Sequence, residues 1–170
     1  MKRIFFFLSI ISIKNQEILC QNNIVQKIQN LNQLEKITLI FSFIIISIGI
    51  LSSGYALTIS LSAYAGCEKE KRATAFIPSL MPGSQGLYSF AICYIMIQEF
   101  ANKPLLTTFA GIICGLTCLF SAIGQAKTAA ACIKSINNDQ MDQGQALLTT
   151  GIIELYALCG LAASFLIISQ

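Results

Sequence analysis

Glu154 is the only acidic residue inside any of the long apolar stretches of this 170-residue chain. It lies in the run Gly151-Ile152-Ile153-Glu154-Leu155-Tyr156-Ala157. A carboxylate in a bilayer costs on the order of 3 kcal/mol or more unless it is neutralised, paired or hydrated, so an acid kept there points to proton or cation handling. The bland alternative is a protonated glutamic acid hydrogen-bonded to a neighbouring helix. Histidine is absent, which removes imidazole ligands and histidine acid–base catalysis. Proton or cation chemistry therefore falls to carboxylates.

Helical hairpin geometry predicts which residues meet Glu154, because residues equally far from a tight connection lie at equal depth in two antiparallel helices. An apex at Asp139–Gln140 sets Gln125 opposite Glu154, and an apex at Lys69 sets Ser84 and Gln85 near the same level. Tyr88 follows one turn after Ser84. Such a level offers a carboxylate, two amide carbonyls, a hydroxyl and a phenol, which is the oxygen-rich set a hard cation takes. A proton needs only the carboxylate and one acceptor, so the surplus oxygens favour Na⁺; taken singly, Gln125, Ser84 and Gln85 also fit ordinary interhelical hydrogen bonding. Pro82 adds to the set. It cannot donate the helical hydrogen bond to the carbonyl of Pro78, and a chain distorted at Pro82-Gly83 can turn a carbonyl near Leu80 or Met81 toward an ion.

The elements that must hold this level are membrane spans. Hydrophobic residues make up 55% of the chain and charged residues 11%, and the charges collect in short clusters. Four uncharged runs, 37–67, 73–98, 104–126 and 144–170 (the last broken only by Glu154), are each long enough to cross a bilayer of about 30 Å as a helix. The connections 68–72, 99–103 and 134–143 are short and polar, so successive helices are antiparallel neighbours. The expected fold is an all-α membrane protein of four transmembrane helices in two hairpins, 37–98 and 104–170, behind an N-terminal extension, 1–36.

Lys69, Lys71 and Arg72 in the first connection, with Lys127 and Lys134 flanking the third, place those two connections in the cytoplasm and both termini outside it. Lys14, Lys27 and Lys36 count the other way. In the extension, Lys2-Arg3 followed by the apolar stretch 4–13 has the order of a signal segment, yet it lacks a small-residue cleavage site. The net charge of +3 indicates no nucleic-acid partner.

The seven cysteines form no CxxC pair and lie largely in apolar stretches, which argues against a disulfide framework. Cys114 and Cys118 are an i,i+4 pair, but two thiols alone make a poor metal site, so packing is the better reading. Small residues recur in steps of three and four, as in Gly49, Ser53 and Ser60, in Gly111 and Gly115, and in Ala122, Ala126 and Ala130. Such stripes let helix backbones approach closely. The hairpins also read as duplicates: Leu87-Tyr88-Ser89-Phe90-Ala91 aligns with Leu158-Cys159-Gly160-Leu161-Ala162, a register that sets Gly83 opposite Glu154. One copy keeps a carboxylate and the other lacks it.

Three segments carry a family resemblance: Leu80-Met81-Pro82-Gly83-Ser84-Gln85-Gly86-Leu87-Tyr88, Ser121-Ala122-Ile123-Gly124-Gln125, and the run around Glu154. They resemble the proteolipid, or K subunit, of bacterial V-type Na⁺-ATPases over roughly residues 38–168. The resemblance implies a homo-oligomeric rotor ring in which Glu154, Gln125, Gln85, Ser84 and the Met81 carbonyl bind one Na⁺, with Tyr88 as hydrogen-bond partner of the carboxylate. It implies a stator membrane subunit that supplies an arginine and half-channels, central-stalk subunits at the cytoplasmic loops, and a home in the bacterial cell membrane. Ser84 stands where the family often has Thr, and the first helix is poorer in glycine than usual. The chain holds no phosphate-binding glycine loop and so is not itself an ATPase. A proton-carrying rotor of the same kind and a standalone four-helix transporter or structural protein are the rival readings.

Overall fold

A computed structural model describes residues 25–26, 29, 31–100 and 102–170, and every regular element among them is helical. The signal-like stretch 4–13 lies outside the described residues. Helix α1 runs Gln33–Ala65, α2 Arg72–Leu80, α3 Ser84–Glu99, α4 Pro104–Asn137 and α5 Gln143–Ser169. A single 3₁₀ turn, Met81–Gly83, joins α2 to α3, so the two make one interrupted span. The four spans are 33, 28, 34 and 27 residues long, each sufficient to cross a membrane.

Local chemistry sets the helix ends. The Asn32 amide donates to Glu35 Oε2 at 2.9 Å, which starts α1 before the uncharged run begins. At α5, Asp142 Oδ1 accepts from the Gln145 amide at 2.8 Å and Gln145 Oε1 returns the contact to the Asp142 amide at 3.3 Å. Pro104 opens α4, where a missing backbone N–H costs nothing.

Helix α4 is the centre of the bundle, with half of its most apolar stretch buried, against a third or less for each of the other spans. Its closest partner is α1. A Cβ on Gly115 would lie 2.7 Å from the Ile45 carbonyl oxygen, and one on Gly49 would lie 3.1 Å from the Gly115 carbonyl oxygen, so the two backbones meet at glycine. The Cys114–Cys118 pair is buried in the same region, beside Ile46, Ile92 and Met96. Its sulfurs are 3.9 Å apart, and the six cysteines among the described residues are free.

The first and third connections meet at one end of the bundle. Lys71 pairs with Asp139, and the Glu68 amide donates to Asn137 Oδ1 at 2.8 Å. At the other end Lys103 Nζ donates to the Ile168 carbonyl at 3.0 Å, holding the last turn of α5. Large apolar side chains such as Leu51, Leu87, Phe120, Leu148 and Leu166 face outward, as spans surrounded by lipid or by further copies require.

Candidate functional site

The break in the second span comes from sequence: Pro82 withholds an amide hydrogen, and the chain tightens into a 3₁₀ turn there. Carbonyls at this turn also meet side-chain hydroxyls of α1. Ser53 Oγ lies 2.9 Å from the Pro82 carbonyl and 3.0 Å from that of Gly83, and Ser60 Oγ donates to the Ser79 carbonyl at 2.7 Å. The Met81 carbonyl is different. It accepts from the Ser84 hydroxyl at 3.0 Å and from the Ser84 amide, which opens α3 beneath it.

From this turn α3 carries Gln85 and Tyr88 toward α4 and α5. The Tyr88 hydroxyl donates to Glu154 Oε1 at 2.6 Å. Ser84 lies beside the same phenol. Gln85 is fully buried, and its Nε2 donates to Gln125 Oε1 at 2.5 Å and, more weakly, to Ser121 Oγ at 3.4 Å. Gln125, also fully buried, donates from Nε2 to the Thr150 carbonyl at 3.1 Å. Ser121 Oγ donates to the Ile153 carbonyl at 2.9 Å.

One atom in this network is left over: Gln85 Oε1 is buried and has no hydrogen-bond partner. Leaving a buried acceptor unmade costs roughly 1–3 kcal/mol, which a bound cation would recover. Glu154, the two glutamines, Ser84 and the Met81 carbonyl supply oxygen alone, the donor type that hard cations accept.

The depth of these residues differs from the hairpin estimate. Ser121 stands level with Ile153, next to Glu154, and Gln125 stands level with Thr150, a turn nearer the connection. The reason lies in the connection itself. Helix α4 runs unbroken to Asn137 and overhangs the start of α5, and residues 138–142 return along it, with Met141 packed on the cluster of Cys132, Ile133 and Ile136. Counting from Asp139–Gln140 treats the two helix ends as level, which they are not. Gln85 and Gln125 still touch, because a glutamine side chain spans the offset.

A family model for the C subunit of ATP synthase matches residues 108–167, which lie within the α4–α5 hairpin. The chain is 31% identical over 112 residues to the V-type sodium ATPase subunit K of Enterococcus hirae, an alignment covering 63% of this chain and 72% of that relative. The chain belongs to the c-type proteolipid family of V-type rotary ATPases. It is also 31% identical over 122 residues to the A-type ATP synthase subunit K of Methanocaldococcus jannaschii, covering 69% of this chain and 55% of that protein. As a c-type proteolipid it is a rotor-ring component and catalyses no reaction itself, and the standalone transporter is set aside.

Two contributions to this proteolipid's site escape a reading of the sequence. Ser53 and Ser60 look like small packing residues in a stripe with Gly49, yet their hydroxyls satisfy the carbonyls at the Pro82 break. The signal available was chemical: a stripe of close approach needs only small size, so serine rather than alanine opposite a Pro-Gly break points to a donor. Ser121 sits one turn before Gln125, and its place at the level of Glu154 depends on the α4 overhang, which the sequence does not display.

Proposed function

We propose that Glu154 is the ion carrier of this rotor protein and that the ion is Na⁺, one per protomer. Its ligands are Glu154, Gln85, Gln125, Ser84 and the Met81 carbonyl, with Tyr88 holding the carboxylate. The observation that carries this reading is Gln85 Oε1, a buried acceptor with no partner, on the helical turn that also carries Tyr88, the hydrogen-bond donor to Glu154. A proton carrier has no use for that oxygen, whereas a dehydrated Na⁺ needs several oxygens to replace its water. The sodium-named relative in Enterococcus hirae supports the same ion.

In this reading the ion enters through a half-channel of a stator membrane subunit and neutralises Glu154. The neutral site crosses lipid at small electrostatic cost as the ring turns. The ion leaves where a stator arginine competes for the carboxylate. Rotation couples to ATP hydrolysis or synthesis on other subunits. The end that joins the first and third connections, with Lys69, Lys71, Arg72 and Lys134, faces the cytoplasm and the central stalk, and both termini lie across the bacterial cell membrane. The Lys71–Asp139 pairing of those two connections supports a shared side.

Carbodiimide labelling tests the ion. A hydrophobic carbodiimide attacks only the protonated carboxyl, and bound Na⁺ keeps Glu154 ionised, so millimolar Na⁺ slows labelling of Glu154 while K⁺ at equal ionic strength does not. Labelling that responds to pH and ignores Na⁺ assigns the ring to protons.

A further inference from the structure

We infer that Ser121 is a positioning residue for cation binding, which turns the oxygen of Gln85 rather than its NH₂ toward the ion. The inference rests on the Na⁺ reading above. It starts from two backbone carbonyls of α5, Thr150 and Ile153, which can only accept hydrogen bonds. Ser121 Oγ gives its single hydrogen to Ile153 at 2.9 Å. Toward Gln85 it has only lone pairs left, so the group facing it across 3.4 Å must be the Nε2 donor.

The Thr150 carbonyl makes the same demand from the other side. It takes Nε2 of Gln125 at 3.1 Å, which turns Gln125 Oε1 toward Gln85 and again calls for Nε2. A single arrangement of the two amides satisfies both carbonyls, and in it Gln85 Oε1 is the atom without a partner. Rotating the Gln85 amide by half a turn would set Oε1 against the lone pairs of both Ser121 Oγ and Gln125 Oε1. At 3.4 Å the Ser121 contact is long and adds little energy. Its effect is directional: one of the two repulsions that forbid the flipped amide comes from Ser121. The hydroxyl thus acts through Gln85 and need not touch the ion.

The test compares wild-type rings with Ser121→Ala and Ser121→Thr, reading the Na⁺ concentration that halves carbodiimide labelling of Glu154, together with the pH profile of labelling without Na⁺. Removing one of the two repulsions that hold the Gln85 amide in place predicts a half-protecting Na⁺ concentration roughly three- to tenfold higher in Ser121→Ala, the scale of one neutral polar interaction. The pH profile stays in place, because Ser121 donates to Ile153 and not to Glu154. Ser121→Thr keeps the hydroxyl, and Ser121 borders an open apolar groove with Phe120 and Tyr156 where a methyl has room, so it stays near wild type. Wild-type half-protection in Ser121→Ala overturns the inference and leaves the Na⁺ reading standing. So does an equal shift in both variants with a displaced pH profile, which marks disturbed packing. Absence of Na⁺ protection in the wild-type ring overturns both.

Discussion

Glu154, Tyr88, Gln85 and Gln125 lie on three helices as two hydrogen-bonded pairs, Tyr88–Glu154 and Gln85–Gln125, and the chemistry differs from one residue to the next. Of these side chains only Glu154 ionises near neutral pH; in the proposed site the amides and the phenol orient and ligate. Replacing Glu154 with Gln keeps the shape and the contact with Tyr88 but ends the alternation between ionised and neutral states. Glu154→Gln is therefore expected to reduce ATP-driven ion uptake into vesicles to background while native gels still show an assembled ring. Uptake retained in that variant would remove Glu154 from the carrier role. The Tyr88 hydroxyl at 2.6 Å fixes the orientation of the carboxylate without adding a competing charge.

The interrupted span is the element on which the proposed site depends, because its 3₁₀ turn at Met81–Gly83 opens α3 with Ser84, Gln85 and Tyr88 in its first turns. Carbonyls around the break receive side-chain hydroxyls from α1, those of Ser53 and Ser60. Ser53→Ala leaves the Pro82 and Gly83 carbonyls without their side-chain donor in a buried setting. That substitution is expected to lower the stability of the solubilised protein by about 1–2 kcal/mol, read as a lower midpoint in detergent unfolding. An unchanged midpoint would show that the carbonyls of the break are satisfied without α1. Ser84 and Met81 lie next in the chain to these carbonyls, so weakened Na⁺ protection of Glu154 is expected to accompany the loss.

Across the whole molecule, α1 and α4 form a tight glycine-mediated pair, and α3 and α5 carry the side chains of the Tyr88–Glu154 bond. Such a protomer buries little of its outer surface, and a ring supplies the missing partner faces through a heterologous contact that closes. Gly115 is a position where added bulk is poorly tolerated, its Cβ falling 2.7 Å from a backbone oxygen of α1 rather than against the far end of a flexible side chain. Gly115→Val is expected to force α1 from α4, distort both faces offered to neighbouring copies, and shift the native-gel band from a large ring to small species. A ring of wild-type size and detergent resistance in this variant would show that α1–α4 spacing does not govern assembly.

The sequence by itself determined the class, the four spans, the single embedded carboxylate and the oxygen-bearing residues near it. These depend on local properties: hydropathy over about 20 residues, the missing donor of Pro82, and the chemical type of each side chain. Only the tertiary structure decided how those residues interlock. The overhang of α4 past α5, which brings Ser121 rather than Gln125 level with Glu154, depends on how residues 138–142 fold back over Cys132 and Ile136. The use of Ser53 and Ser60 as donors depends on α1 crossing the Pro82 break, a contact between residues about 20 to 30 apart in the chain. Which way the Gln85 amide points depends on two carbonyls of another helix. A residue's type shows what it can donate or accept, while the packing of distant segments decides which partner it meets and which of its atoms is left free.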